Sequence, residues 1–496
     1  MDSGSPTVTN SPNDDTAKLL RACAEACGVT ADVVEKVCIA TPEQIHRMNH
    51  HIQTGWSYMT QMVLHYEDDL KQTFLLRVLS AMRIKNHVLR TRLVLYESQV
   101  YQVVLRDPIN FQLPVDLHGY LTQNSRTRMG YGTSLFRYAF VREPRGEAFL
   151  VWTGKRLQTR FTPKFNSFSN ALKLQSVHCS AIDAWTLRLI FRDLQAACSD
   201  LAAYSKLPQR PPYGRYAKWL EWYTYEAGSS FWLTRHTTFD SFVHKFPVLA
   251  QGGLPSISTT KTKKLLHLPK LQNTEFTLPI MGHAAWALTI ANCKAQEYTS
   301  LPNEDISLIS MISARKSNVS GIMQIMGPIS ARVPLRVRLF PHLLIKDLMR
   351  DIDTQFASMA GFEHCAMRAL SKGADVKNMP KQAVFNWNPP GSDVSSKRVV
   401  CHDREAAPAV LAYREDLSVP FAHDYGLLFE VYEHGEYIAI YVSWDQNLVE
   451  ANLIRRLCED FESFLVAIIK IGGGSVLDLL SEIKACRAGQ VAGFQL

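Results

Sequence analysis

Adjacent histidines near the beginning of the sequence are the first candidates for chemistry. His50 and His51 lie in Asn49–Met59, "NHHIQTGWSYM", and a Gly-Trp-Ser follows them. Imidazole is the side chain that most often moves protons near neutral pH. Two such groups beside Gly-Trp-Ser suggest a histidine-dependent acyl-transfer site, so this stretch is the first hypothesis.

A second stretch combines a histidine, a cysteine and a carboxylate. Val177–Cys198, "VHCSAIDAWTLRLIFRDLQAAC", contains His178, Cys179 and Asp183. A free thiol has a pKa near 8.5, so it is mostly protonated at neutral pH and is a weaker base than imidazole. A nearby cation or helix terminus would lower that pKa and make the thiol a nucleophile. The chemistry of this stretch depends on the surroundings of Cys179.

A short strand and a long helix must position the second stretch. "ALKLQSV" is strand-like, and if the strand continues through His178 and Cys179, their side chains point to opposite faces. The following "WTLRLIFRDLQAAC" is typical of an apolar helix. Strand-like and helical segments alternate along the rest of the chain. The sequence therefore predicts a mixed α/β fold.

Other elements follow from the same periodicities. "YMTQMVLHYE" and "QVYQVVLRD" predict strands, and "LKQTFLLRVLSAMRIKN" predicts an amphipathic helix. In "TAKLLRACAEACGV", Thr16 is the expected N-cap and Gly28 the expected end of a helix.

Length and composition predict two lobes. The chain has 496 residues, 46% of them hydrophobic, and chains beyond about 250 to 300 residues usually divide into domains. Residues 1–16 are polar and predict a disordered tail. The Pro-rich segment Ser205–Tyr216 is the best candidate for the boundary between the two lobes. We expect an N-terminal lobe over residues 17–204 and a C-terminal lobe over residues 205–496.

Composition also argues against several classes of function. The 10 cysteines have no metal-ligand spacing, and neither a secretory signal nor an apolar run of membrane-spanning length is present. The net charge of +8 is concentrated only in Thr259–Lys270, expected to be a solvated basic loop, with attraction to an acidic partner as the alternative. We expect a cytoplasmic protein that binds no metal, membrane or nucleic acid.

Several motifs, taken in order, resemble a known family. "KNHVLRTRL" (Lys85–Leu93), "YGRYAKWLEW", "ISARKSNVSGIMQIMGPISARVPLRVRL" (Ile312–Leu339) and "FNWNPP" are similar to segments of the condensation domains of fungal nonribosomal peptide synthetases. The resemblance extends from about residue 17 to residue 480. It implies two chloramphenicol-acetyltransferase-like lobes that form a V-shaped pseudo-dimer with a central tunnel.

The family signature, His-His-x-x-x-Asp-Gly, identifies the site. "HHIQTGWS" has no aspartate before its glycine, so His50 and His51 are not expected to be catalytic. "VHCSAIDAW" fits without a gap and is followed by Arg-Asp-Leu, which puts His178 at the first histidine position and Cys179 at the second. The resemblance therefore implies that a thiol replaces the histidine that positions or deprotonates the acceptor.

The roles of these two residues stay open. Cys179 is a half-buried filler, a nucleophile that accepts an acyl group, or a residue that shapes a tunnel in which orientation performs most of the catalysis. His178 is either a packed, hydrogen-bonded residue or a direct participant. His283, near the start of a helix, is a candidate substitute base.

The resemblance assigns structural roles to further residues. It implies that Asp183 forms an ion pair with Arg315, a contact that supports the site because an unpaired buried charge is costly. Other residues are expected to line the tunnel, namely Trp185, Asn386, Trp387 and Asn388.

The implied function is that of a stand-alone condensation-like acyltransferase of fungal secondary metabolism, which forms an amide or ester from an acyl thioester and an amine or alcohol. Alternatives are a fold repurposed for cyclisation, dehydration or rearrangement of a small intermediate, and a non-catalytic subunit that docks a carrier. No bound cofactor is expected. The acyl donor would be free or linked to phosphopantetheine, on a peptidyl carrier protein or on coenzyme A, and we expect a monomer.

Overall fold

The computed structural model describes most of the chain. The described residues are 12–54, 59–66, 72–114, 116–142, 148–153, 174–178, 180–222, 225–235, 260–271, 275–295, 304–370, 383–388, 390, 398–402, 409–413, 425–471 and 474–487. Residues 1–11 of the predicted tail therefore lie outside the described part of the chain.

The described elements alternate between helix and strand, which confirms the mixed α/β prediction. The helices are α1 (Pro12–Ala26), α2 (Pro42–Thr54), α3 (Gln72–Lys85), α4 (Leu117–Arg126), α5 (Ala184–Ser199), α6 (Leu201–Lys206), α7 (Tyr213–Trp222), α8 (Tyr225–Arg235), α9 (Leu278–Ala295), α10 (Ile345–Ser358), α11 (Ala366–Leu370), α12 (Ala451–Ile471) and α13 (Val476–Arg487).

The strands are β1 (Val34–Ile39), β2 (Met59–Tyr66), β3 (Thr91–Tyr96), β4 (Gln99–Leu105), β5 (Phe111–Gln112), β6 (Phe136–Arg142), β7 (Ala148–Thr153), β8 (Leu174–His178), β9 (Thr260–His267), β10 (Glu304–Ser313), β11 (Ser330–Leu339), β12 (Ala383–Asn388), β13 (Arg398–Cys401), β14 (Ala409–Tyr413), β15 (Leu427–Glu433) and β16 (Tyr437–Trp444). The predicted strands β2, β4 and β8 and the predicted helices α3 and α5 are confirmed. Helix α1 begins at Pro12, so the expected N-cap at Thr16 is wrong; proline suits a first helical turn.

The chain divides into two compact units, and neither is continuous in sequence. The first unit comprises residues 1–222, 319–328 and 394–422, and the second comprises 223–318, 329–393 and 423–496. The expected boundary after residue 204 falls inside α6 and stays a prediction.

The described strands of the first unit form two sheets. The larger has the order β13-β14-β2-β7-β8-β6-β5, and the smaller has the order β1-β4-β3. Helices α3 and α5 pack their apolar stripes in one core cluster, where Leu75, Val78 and Ile190 are fully buried. Such stripes recur every three to four residues, so each helix buries one face. This packing holds α5 directly after β8, where the candidate site lies.

A buried carboxylate ties several segments of the first unit together. Asp193, in the Arg-Asp-Leu motif of α5, is 5% exposed. Arg210 donates to both of its oxygens, through Nε to Oδ2 at 2.9 Å and through Nη2 to Oδ1. Asn86 donates from Nδ2 at 3.0 Å, and the Tyr204 hydroxyl lies 3.2 Å from Oδ2. The carboxylate therefore joins α5, α6, the residue after α3 and the Pro-rich segment.

The described strands of the second unit form one sheet with the order β11-β10-β12-β15-β16-β9. Strand β12 pairs in parallel with β10 and β15, and the other pairs are antiparallel. Helix α9 is apolar on nearly all sides and buried, as expected for a helix in the middle of a core. Its Trp286 packs against Phe385, Phe429 and Phe461.

The basic segment Thr259–Lys270 is not a loop, and that prediction is wrong. Thr260–His267 form β9, which pairs along its whole length with β16 at the edge of the sheet. Leu266 is buried and Lys264 forms an ion pair with Glu462 of α12. Lysines on an edge strand discourage pairing with other chains, so basic composition is compatible with a strand here.

None of the helices within the described residues combines the length and apolar character that crossing a membrane requires.

We expect Asp193→Ala to lower the free energy of unfolding by about 3 to 5 kcal/mol, because it leaves the buried Arg210 guanidinium without its carboxylate. Urea denaturation followed by circular dichroism measures the effect. The control is Asp200→Ala, which removes the exposed N-cap of α6 and should cost about 1 kcal/mol. Equal losses in the two variants would show that Asp193 is not the anchor.

Candidate active site

The predicted signature lies at the junction between β8 and α5. Strand β8 ends at His178, whose backbone pairs with Met59 of β2. Cys179 and the side chain of His178 lie outside the described residues. Ser180 is fully buried, and α5 begins at Ala184. The strand-to-helix order expected from the sequence is therefore confirmed, and the chemical roles of His178 and Cys179 stay predictions.

Asp183 is the N-cap of α5. Its Oδ1 accepts hydrogen bonds from the Thr186 backbone N–H at 2.7 Å and from the Thr186 hydroxyl at 2.6 Å. A carboxylate at this place satisfies an otherwise unpaired helical N–H and interacts favourably with the positive end of the helix dipole. The carboxylate thus fixes the first turn of the helix that follows the signature.

A segment from a later part of the chain docks on this turn. Residues 319–328 belong to the first unit although the chain on both sides belongs to the second. Gly327 donates its N–H to Thr186 Oγ1 at 2.9 Å, and Trp185 Nε1 donates to the Met323 carbonyl at 3.0 Å. The Tyr213 hydroxyl donates to the Pro328 carbonyl at 3.1 Å. We call residues 319–328 the docking segment.

Gly327 is required for this docking. Its φ is +149°, and a Cβ added there would lie 1.9 Å from Tyr213 Cδ2. Any larger residue would therefore push the docking segment away from Tyr213 and strain the backbone. This explains the glycine in "MGP", Met326–Pro328, within the segment Ile312–Leu339.

Arg315 follows β10 in the second unit and is 5% exposed. Asp183 belongs to the first unit, so its ion pair with Arg315 stays a prediction. Asp183 is instead the N-cap of α5, a role that is not among those predicted from the sequence.

His283 lies on α9 inside the second unit. It is 3% exposed, its Nδ1 lies 2.6 Å from the Pro279 carbonyl, and its Nε2 lies 2.8 Å from Ser310 Oγ. Phe356 and Phe385 contact its ring edge-to-face. Desolvation by this apolar surrounding lowers the pKa of His283 to about 4. The imidazole is therefore neutral and engaged at both nitrogens, and its role as a substitute base stays a prediction.

The three expected tunnel residues of β12 lie on two faces of the sheet. Trp387 packs on the helix-covered face, where a Cβ on Gly282 of α9 would lie 2.3 Å from its ring. Asn386 and Asn388 lie on the opposite face, because side chains alternate along a strand. The Nδ2 of Asn386 donates to Glu430 Oε1 at 3.1 Å. The two asparagines therefore share a surface that Trp387 does not reach.

On the face that carries Asn386, one residue from each described strand of this sheet lies directly opposite a residue of the next strand, so that together they form a row across the sheet. We call it the cross-sheet row; its members are Arg332, Met311, Asn386, Glu430, Tyr441 and Lys263. Each described side chain in it is half-buried or exposed, in contrast to the aromatic core on the other face. Glu430 and Tyr441 are not among the residues that the sequence motifs predict. The alternation in "LLFEVYE" was the available signal, since it puts Glu430 and Phe429 on different faces.

Within the described residues, no three or more histidine, cysteine, aspartate or glutamate side chains come together as a metal site would require.

Comparison with known proteins supplies the context for this geometry. The family model described as "Condensation domain" matches residues 34–481. Among curated proteins, the chain is 24% identical over 479 residues to the nonribosomal peptide synthetase inpB of Emericella nidulans, which covers 92% of this chain and 18% of that protein. It is 26% identical over 370 residues to the nonribosomal peptide synthetase ecdA of Aspergillus rugulosus. This match covers 73% of this chain and 5% of that protein.

Both of these curated relatives are far longer than the chain, which spans 18% of the length of the first and 5% of the length of the second. Among solved structures, one described as holo T3CT has a TM-score of 0.67 at 16% identity, with 95% of this chain and 99% of that chain covered. The starter condensation domain of the rhizomide synthetase RzmA, a double mutant, has a TM-score of 0.61 at 13% identity, covering 87% and 96%. These structures confirm the chloramphenicol-acetyltransferase-like fold.

We expect Gly327→Ala to destabilise the first unit by about 3 kcal/mol, because it combines a clash with Tyr213 and an unfavourable backbone angle. Thermal or urea unfolding tests this. The matched control is Gly435→Ala in the β15–β16 turn, where φ is also positive, at +78°, but no atom lies within 4 Å of the added Cβ. That variant should lose about 1 to 2 kcal/mol. A cost at Gly327 no larger than at Gly435 would contradict the docking argument.

We expect His283 to make stability depend on pH in a defined direction. The unfolded chain binds a proton at the ordinary pKa of 6.5 and the folded chain only near 4, so stabilisation present above pH 6.5 is lost as the pH falls towards 4. Between pH 8 and pH 5 this amounts to about 2 kcal/mol. Urea unfolding at both pH values should show a smaller loss in His283→Asn than in wild type. The exposed His267→Asn should behave as wild type does; unchanged pH dependence in His283→Asn would refute the assignment.

Proposed function

The chain belongs to the condensation-domain family, and from this premise we propose that it joins an acyl thioester to an amine or alcohol, forming an amide or ester. The observation that supports this most directly is the junction between β8 and α5. There Asp183 caps the helix immediately after the signature segment, and the docking segment closes on the same turn. The Asp183 carboxylate thus holds the first turn of α5 in place next to the signature segment.

The proposed reaction has a simple balance. The nitrogen or oxygen of the acceptor attacks the thioester carbonyl carbon, the new C–N or C–O bond forms, the C–S bond breaks, and the thiol leaves with the proton that the acceptor gives up. Phosphopantetheine, on a carrier protein or on coenzyme A, would supply that thiol. No bound cofactor takes part in this scheme.

Cys179 stands where the family has its second histidine, and we propose that it does not serve as the base. A thiol of ordinary pKa is mostly protonated at neutral pH and accepts protons poorly. A helix N-terminus could lower its pKa, but Asp183 already places a carboxylate at the start of α5. We therefore propose that orientation of donor and acceptor provides most of the acceleration, since a well-oriented pair gains several kcal/mol without a new base.

We expect Cys179→Ala to retain product formation within about tenfold of wild type, as expected if orientation is the main source of acceleration. The measurement uses acyl pantetheine thioesters with a panel of amines and alcohols, and liquid chromatography with mass spectrometry follows the products. Cys179→His restores the family signature and tests whether an imidazole accelerates the reaction. Cys293→Ala, in α9, is the control for removal of a thiol elsewhere.

A different result would identify another role for the thiol. Loss of activity by more than about a hundredfold in Cys179→Ala, together with an acyl adduct in the intact mass of wild type but not of the variant, would indicate an acyl-enzyme intermediate. Turnover of a single released intermediate without any acceptor would favour the cyclisation or rearrangement alternative. Binding of loaded carrier proteins without turnover of any donor and acceptor pair would favour a docking subunit.

A further inference from the structure

A cavity of about 370 Å³ opens at the edge of the second unit's sheet, and none of the residues that line it is among the predicted site residues. One wall is basic, because Arg336 and Arg338 of the edge strand β11 and Arg235 at the end of α8 line it. The other wall is acidic, since α10 contributes Asp347 and Asp351, one helical turn apart. The cavity therefore lies between charges of opposite sign.

On the basic wall, two guanidinium groups keep donors for a ligand. Arg336 Nε lies 2.9 Å and 3.0 Å from the two oxygens of Asp305, so this guanidinium is already neutralised. Arg338 reaches the same carboxylate only at 3.9 Å, beyond hydrogen-bond distance, and its side chain is 72% exposed. The guanidinium carbon of Arg235 lies 4.5 Å from the centre of the Phe231 ring, a contact that supports the group without using its N–H donors. Arg235 and Arg338 can therefore bind a carboxylate.

On the acidic wall, Asp351 is the carboxylate without a cationic partner among the described residues. Asp347 accepts from Arg350 Nη1 at 2.6 Å, an ion pair within α10. Asp351 accepts instead from a neutral amide, with Gln355 Nε2 2.8 Å from its Oδ2. A carboxylate accepts several hydrogen bonds, and an ammonium group is the donor that would also balance its charge. Within the described part of the chain, no ion pair joins Asp351 to the basic wall.

Gln355 holds the two walls at a fixed separation. Its side chain accepts from the Arg336 backbone N–H at 3.1 Å and donates to the Arg336 carbonyl at 2.8 Å, in addition to its bond with Asp351. The side-chain amide thus pairs with the edge of β11 as the backbone of another strand would. Because this contact ties α10 to β11, the opposite charges are positioned before a ligand arrives, which lowers the entropic cost of binding.

Apolar side chains also line the cavity. Phe340 and Leu343 follow β11, and Leu348 lies on α10. Phe340 is 44% exposed, so its ring presents apolar surface that a ligand can cover. Ligand cavities typically have volumes of about 300 to 1,000 Å³, which puts this cavity near the small end of the range. It suits a ligand of the size of an amino acid.

We propose that this cavity binds a zwitterionic amino acid with an apolar side chain. Arg235 and Arg338 bind its carboxylate, Asp351 binds its ammonium group, and Phe340 and Leu343 contact its side chain. Asp351 repels a simple anion and the arginines repel a simple amine, whereas a zwitterion satisfies both walls. The inference goes beyond the proposed function and does not depend on it, since it concerns binding to the second unit alone.

Binding to the full chain tests this inference. Isothermal titration or saturation-transfer NMR at pH 7 compares L-leucine with 4-methylpentanoate, which lacks the amino group, and with 3-methylbutylamine, which lacks the carboxyl group. We expect wild type to bind leucine at least about tenfold more tightly than either probe, because each probe leaves one wall without its counter-charge.

Variants of the two walls should change the two preferences separately. The double variant Arg235→Gln, Arg338→Gln should lose the preference for leucine over 3-methylbutylamine and keep the preference over 4-methylpentanoate. Asp351→Asn, which keeps an acceptor oxygen for Gln355, should show the reverse. Thermal unfolding of each protein verifies that the folds are equivalent.

Matched control variants remove the same charges outside the cavity. Asp353→Asn changes an exposed carboxylate of α10, and Arg455→Gln changes an exposed guanidinium of α12, and neither residue lines the cavity. Both variants should keep the two preferences. The inference is overturned if wild type does not bind leucine, if it binds either probe as tightly as leucine, or if the wall variants keep the selectivity of wild type.

Discussion

The burial of the Asp193 carboxylate is the constraint on which the first unit depends most. A buried carboxylate without partners is so unfavourable that the chain must bring a guanidinium and further donors to it. Asn86 lies 107 positions before Asp193 in the sequence and Arg210 lies 17 positions after it, and Arg210 also donates to Gln324 of the docking segment. One charge thereby fixes the position of α5, and with it the position of the signature that precedes the helix.

This dependence explains why the signature region could be predicted only in part. The strand β8 and the helix α5 follow from local periodicity, and the N-cap at Asp183 is consistent with the preference of aspartate for helix starts. The importance of Asp193 does not follow from local periodicity, because it depends on residues outside α5. Asn86 lies 107 positions away in the sequence, and Arg210 lies in the Pro-rich segment that follows α6. The sequence contains the Arg-Asp-Leu motif but does not reveal which side chains form hydrogen bonds with its aspartate.

The second unit shows the same limit on a larger scale. Alternation within β15 reveals that Glu430 and Phe429 face opposite ways, which a single strand suffices to predict. That Glu430 lies beside Asn386 and Tyr441 depends on strand order and register, and β12 and β15 pair in parallel although other strands separate them in sequence. The loop predicted for β9 is wrong for a related reason. Its lysines suggest a solvated loop, whereas its pairing with β16 at the sheet edge joins segments that are far apart in the sequence.

Under the proposed function, rigid architecture compensates for a missing base. Orientation accelerates a reaction only if the groups that position the reactants move little, since a displacement of about 1 Å can cost as much as a hundredfold in rate. The first unit meets this demand with charge and hydrogen bonds, through Asp193 and through Gly327 against Thr186. The second unit meets it with apolar packing, because Trp286 and Phe429 hold the sheet from its covered face. The polar face can then carry Glu430 and its donors without having to provide the stability of the sheet.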